Sequence, residues 1–198
     1  MDIRADCSWT DCFLLALFCL AVPLDWLISG IVAACFHELC HVLAVLCLGA
    51  RIYQIHIGGA GAVLDAAPME PLREIISILS GPAGSLALMA LARYAPKLAL
   101  CGAVQGIFNL LPIYPLDGGR VLRCVTGMVF APDTAAAFCN AVRGVFAFAA
   151  AALALLGIFV FDLGVFPVLI LLFFLYRAAF GKFPCNAGKL GVQYSYHL

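Results

Sequence analysis

The chain has 198 residues, of which 65% are hydrophobic and 11% charged, with 11 basic residues balancing 11 acidic ones. Ordinary soluble domains are about 45–50% apolar and about 25% charged, and a small domain must turn much of its surface to water. The composition therefore excludes a soluble globular protein and a disordered chain, and zero net charge leaves no electrostatic footprint for nucleic acid. An integral membrane protein, with the lipid bilayer as its solvent, is what remains.

A bilayer core about 30 Å thick takes about 20 apolar residues per helix. Apolar runs at residues 12–24, 26–48, 74–93, 98–112, 144–161 and 163–180 predict an all-α polytopic fold of about six transmembrane helices. The first run is short and ends near Pro23. It reads as a span rather than a signal peptide, because Arg4 alone is a poor basic region and no small-x-small site follows Leu24. Pro96, Asp162 and Gly164 punctuate the tight connections. With the N-terminus in the cytoplasm, only Arg93 and Lys97 among the basic residues fall outside. That satisfies the positive-inside rule and puts both termini in the cytoplasm of a multi-pass cell-membrane protein.

The longest connections, 49–73 and 113–143, leave no room for a soluble domain, so residues 1–198 read as a single transmembrane domain. Most of the 10 cysteines, such as Cys12, Cys19, Cys35, Cys47 and Cys101, sit inside apolar runs, and no C-x-x-C pair occurs. They read as packing material. After the second run, Tyr53, Ile55 and Ile57 alternate with Gln54 and His56, and Gly58-Gly59 and Gly61 follow. That is the period of a strand or small hairpin. Asp65 to Glu74 reads as a polar, proline-flanked loop.

Residues 37–41 read His37-Glu38-Leu39-Cys40-His41, an H-E-x-x-H motif inside the second run. On a helix, positions i and i+4 share one face, so both imidazoles can reach one metal, and Glu38 lies beside them. Zinc lowers the pKa of water it holds to near 7, and a carboxylate can then take the proton. Each acidic or basic residue at the centre of a membrane helix costs about 2.5–3.5 kcal/mol on insertion scales. Three ionisable groups at metal-binding spacing therefore point to chemistry rather than to packing.

Zinc hydrolases use three protein ligands. His56, Asp25, Asp117 and Asp162 are the candidates for the third. Asp117 lies in Asn109-Leu-Leu-Pro112-Ile-Tyr-Pro115-Leu-Asp117-Gly118-Gly119-Arg120, where two prolines break the fourth span and set Asp117 on a bend.

The pair H-E-L-C-H and N-L-L-P-I-Y-P-L-D-G-G-R resembles the signature of the site-2 protease family of intramembrane zinc metalloproteases. Gly81-Pro82-Ala83-Gly84-Ser85 resembles that family's G-P-x-x-N segment. The resemblance covers about residues 26–125, the catalytic core, with a C-terminal helix pair at about 144–180. It implies one Zn2+ ion on His37, His41 and Asp117, with Glu38 as general base and Asn109 near the metal as a catalytic helper. Cys40 stands where the family has glycine, and Ser85 where it has asparagine. The serine is expected to weaken a polar contact of the third span and to leave the zinc site untouched.

The short six-span plan is similar to the sporulation-type enzymes that process a membrane-tethered pro-sigma factor. Their C-terminal nucleotide-binding regulatory domain finds no counterpart before Leu198. The expected function is hydrolysis of a peptide bond in or near a transmembrane segment of a membrane-tethered regulator, such as a pro-sigma or anti-sigma factor, near the cytoplasmic side. A helix hides its scissile carbonyls, so Ile55, Ile57, Gly58 and Gly59 form an expected strand template for an extended substrate. His56 reads as a strand surface residue, and Arg120 and Arg123 as anchors at the membrane interface. The rival reading is a membrane metal-ion carrier using the same His and Asp cluster, but carriers show paired broken helices, and one clear break is visible. The residues name neither a specific substrate nor a regulatory membrane partner.

Overall fold

The computed structural model describes residues 2–6, 22–58, 61–114, 116–161 and 195–197. The expected span at 163–180, and all but the end of that at 12–24, lie outside these residues. The chain divides into two units: Met1–Leu110 together with Leu190–Leu198, and Leu111–Lys189.

The first unit holds strand β1 (Asp2–Asp6), helix α1 (Leu24–Cys47), strands β2 (Ile52–Gly58) and β3 (Gly61–Ala66), and helix α2 (Pro71–Ala87). A 3-10 turn (Leu88–Leu91), helix α3 (Pro96–Asn109) and strand β4 (Ser195–His197) complete it. Helix α1 and the stretch Pro71–Leu91 are long and apolar enough to cross a membrane. The polarity of α1 is inverted relative to a soluble helix. Ile28, Ile31, Val32, Leu39, Leu43 and Leu46 are exposed, whereas Ala33, His37, His41 and Val45, four residues apart, are buried. A face of leucine and isoleucine turned outward is stable in lipid, while polar side chains must find partners inside.

Local signals fix the helix ends. Gly49, with φ of 78°, stops α1 in a left-handed cap. Ala50 N–H bonds to Val45 C=O at 3.1 Å and Gly49 N–H to Leu46 C=O at 3.0 Å, the paired bonds of a Schellman ending. The chain is thereby turned into β2. Pro71 and Pro96 each occupy a first helical turn, where a missing N–H costs nothing. Asp25 pairs with Lys97, whose ammonium also lies 5.7 Å from the Trp26 ring centre. At the opposite end, Arg73 donates to the Leu48 carbonyl at 3.3 Å. Helix α1 therefore runs alongside α3 and antiparallel to α2.

Small residues bring these helices close. A methyl added at Gly102 of α3 would stand 2.7 Å from the Ser85 carbonyl oxygen, and one at Gly106 would stand 3.1 Å from that of Pro82. This is the small-xxx-small packing that lets membrane helices touch backbone to backbone.

The expected hairpin forms, with β2 and β3 antiparallel, inside a four-stranded sheet of order β1-β2-β3-β4. One expectation changes here. β2 is an inner strand: β1 pairs with it in parallel, Ile3 opposite Ile55 and Ala5 opposite Ile57, while β3 holds its other side. The backbone edge beside Ile55, Ile57 and Gly58 is thus covered by β1, and Gly59 lies outside the described residues.

The second unit contains helices α4 (Asp117–Val129) and α5 (Pro132–Phe161), packed together, with Thr126 Oγ1 3.3 Å from Cys139 Sγ. Residues 113–143, a connection by sequence, are therefore mostly helical. Arg120, Arg123, Asp133 and Arg143 make this stretch too polar to register as a span, although nothing in it opposes a helix. The span expected at 98–112 ends at Asn109, ahead of Pro112 and Pro115.

Candidate metal centre

His37 and His41 are one turn apart on α1, and both are buried, at 3% and 1% exposure. His41 Nδ1 lies 2.9 Å from the Ser77 carbonyl oxygen of α2. A carbonyl only accepts, so Nδ1 carries the proton and Nε2 presents its lone pair. His37 Nδ1 lies 2.8 Å from Ser85 Oγ, also on α2. The two Nε2 atoms face each other at 3.2 Å. Two nitrogens held about 2.0–2.1 Å from a tetrahedral zinc would stand roughly 3.3 Å apart. The imidazole pair thus already has the span of one edge of a zinc tetrahedron, and each outer ring nitrogen has the partner that metal-ligating histidines take.

Helix α2 makes this possible by standing very close to the rings. Gly81 lies against the His41 imidazole: a methyl there would fall 2.7 Å from Cδ2 and nearer still to other ring atoms. Cys40 is half-buried with its Sγ packed against Gly84, so it serves the helix contact that the glycine of the resembling motif would serve. Ser85 departs from expectation. It is fully buried, and its hydroxyl contacts His37 directly.

Glu38 is half-buried, with Oε2 shut off from solvent. Asn109, the last residue of α3, places Nδ2 3.4 Å from His37 Nε2, on the metal-facing side of that ring.

In the second unit, Asp117 is the first residue of α4 and is 5% exposed. The helix N-terminus favours its negative charge, and Arg120, one turn on and equally buried, lies 3.7 Å from Oδ1. Arg120 is therefore the charge partner of Asp117 and not the interface anchor the sequence suggests. Gly119 leaves space for the preceding loop, since a methyl there would fall 2.7 Å from the Ile113 carbonyl oxygen.

His37 and His41 in the first unit, and Asp117 in the second, are each buried and of the residue types that ligate metal. Their chemistry, two imidazoles and a carboxylate, suits zinc. Of the other candidates for third ligand, Asp25 is exposed and paired with Lys97. His56 belongs to β2, in register with Arg4 and Val63, and Asp162 lies outside the described residues. Sequence reading misses the Ser77 carbonyl and Gly81. A backbone acceptor leaves no mark on composition, whereas the small residue at 81 is visible within G-P-A-G-S.

The family model for peptidase family M50 matches residues 60–153. That span contains the Gly81–Ser85 and Asn109–Arg120 segments, while His37–His41 lies ahead of it. The fold is similar to that of the site-2 protease from Methanocaldococcus jannaschii, with a TM-score of 0.62, 23% sequence identity and 90% of each chain covered. No curated relative matches the sequence. Over residues 60–153 the chain is thus similar to peptidase family M50, and it shares its fold with a site-2 protease.

Proposed function

We propose that the protein is an intramembrane zinc endopeptidase of the cell membrane that cuts a membrane-tethered protein near the cytoplasmic face of about six spans. The observation that carries this reading is the His37–His41 pair, with Nε2 atoms 3.2 Å apart and both outer ring nitrogens held by α2. In this reading His37, His41 and Asp117 hold one zinc ion. When bound, zinc supplies Lewis acidity that polarises a carbonyl and makes water nucleophilic near neutral pH.

The chain's own residues perform the remaining tasks. Glu38 accepts a proton from the attacking water and returns one to the leaving amine. Asn109 donates its amide hydrogen toward the charge that develops on the scissile carbonyl. Arg120 pairs with the Asp117 carboxylate and holds it in place. A membrane-tethered regulator of the pro-sigma or anti-sigma kind is the substrate class implied by the sequence resemblance.

The substrate enters unwound and adds to the sheet beside Ile55, Ile57 and Gly58, with Gly59 next in the chain as part of the same expected template. To do so it takes the place of β1, which covers that edge. Removing residues 2–6 is then expected to raise cleavage of a single-span substrate about two- to tenfold, because β1 no longer reduces the competent fraction. Initial rates on purified full chain and truncated chain check this, and an unchanged or lower rate argues against displacement of β1.

The direct test of the reading is Asp117→Ala, assayed on a co-expressed panel of single-span substrates with metal content measured alongside. Loss of both cleavage and zinc is expected. Zinc retained at one ion per chain would remove Asp117 from the ligand set, and wild type that binds zinc yet cuts no substrate in the panel would favour a carrier.

A further inference from the structure

We infer that Ser85 is a positioning residue for His37, accepting the proton on Nδ1 so that Nε2 is bare and directed at the metal; this rests on the zinc reading above. Three observations carry it. Ser85 Oγ is 2.8 Å from His37 Nδ1, a normal hydrogen bond. Ser85 is 0% exposed, so water does not compete for that bond. Its backbone is also clamped by α3: methyls at Gly102 and Gly106 would stand 2.7 Å from the Ser85 carbonyl oxygen and 3.2 Å from its Cβ.

The two histidines are held differently, and the difference is chemical. His41 faces a carbonyl, which accepts only, so Nδ1 is the donor and the neutral ring offers Nε2 as its acceptor. His37 faces a hydroxyl, which can accept from Nδ1–H or donate to a bare Nδ1. With no metal present, the short approach of the Nε2 atoms is satisfied when His37 Nε2–H donates to His41 Nε2 and Ser85 donates to His37 Nδ1. With metal on both Nε2 atoms, the His37 proton sits on Nδ1 and Ser85 accepts it. No proton is gained or lost by the ring; it changes nitrogen. A hydroxyl serves both arrangements, and a buried carbonyl at this place would oppose the first.

Outer partners of metal-bound histidines typically change metal affinity by about 10–100-fold when removed. The test uses the full chain in detergent, with zinc affinity measured by competition against a chromogenic chelator. Ring-nitrogen resonances of 15N-histidine protein are recorded alongside. Ser85→Ala is expected to bind zinc about 10–100-fold more weakly, to shift the His37 signals and to leave those of His41 in place. Ser85→Thr, which keeps the hydroxyl, restores the affinity. Alanine binding within about twofold of wild type, equal shifts at both histidines, or threonine failing to restore affinity would each overturn the proposal. If the alanine chain does not fold, threonine decides alone: wild-type affinity supports the role, and a loss as large as that of His37→Ala refutes it. Absence of zinc binding by the wild type would instead sink the zinc reading itself.

Discussion

Glu38→Gln is expected to lower cleavage by about 10²–10⁴-fold, the range for removal of a general acid–base group, while zinc content stays at the wild-type level. The two halves of that result have separate causes. Glutamine has nearly the shape of glutamate, so the half-buried position on α1 is filled as before. An amide, however, cannot take a proton from water at neutral pH or hand one to a leaving amine. Zinc is retained because the proposed donors are His37, His41 and Asp117, and Glu38 is not among them. Cleavage of a co-expressed single-span substrate, scored against metal content of the purified protein, reads both halves at once. Cleavage by Glu38→Gln at the wild-type rate would assign proton transfer elsewhere. Loss of zinc together with activity would make Glu38 a ligand or a support for one.

What the sequence reveals and what it hides follow from the range of the forces concerned. His37, Glu38 and His41 are legible because helical period alone places them together. The same holds for α1 and α2, whose apolar faces are set by the lipid, and for the β2–β3 hairpin, whose alternation is local. Residues 117–143 escape a search for apolar length, because an amphipathic helix with Arg120 on its buried side has none. The pairing of β1 with β2, and of β4 with β3, is invisible locally, since each joins segments far apart in the chain. Arg120 and Ser85 mislead for one shared reason. Residue type alone makes them an interface cation and a weakened contact, whereas the role of each comes from a buried neighbour, Asp117 or His37.

Gly81→Ala sets two principles against each other, and the magnitudes decide between them. By helix propensity the substitution favours the fold, since alanine is better than glycine in a helix interior by about 0.8–1.0 kcal/mol. By geometry it ruins the site, because the new methyl would fall on the His41 imidazole. The ring has nowhere neutral to go. Its Nδ1 is tied to the Ser77 carbonyl, and swinging away breaks that bond and moves Nε2 out of reach of His37. Functional constellations tolerate displacements of only about 0.5 Å and 10–20°. Overpacking a buried site costs about 1–3 kcal/mol, so the expected result is a metal-free chain no more stable than wild type, whose zinc affinity falls by about 10–100-fold. Cleavage is lost with it. Gly84→Ala is the matched comparison on the same helix, because its methyl would meet the Cys40 side chain, which can move without disturbing a ligand. That variant is expected to keep its zinc. If Gly81→Ala binds zinc as tightly as wild type, α2 does not hold His41 in place, and the ring owes its position to contacts other than the one at Gly81. If both variants lose zinc equally, the separation of the two helices governs the site, and contact with the ring at position 81 has no special part in it.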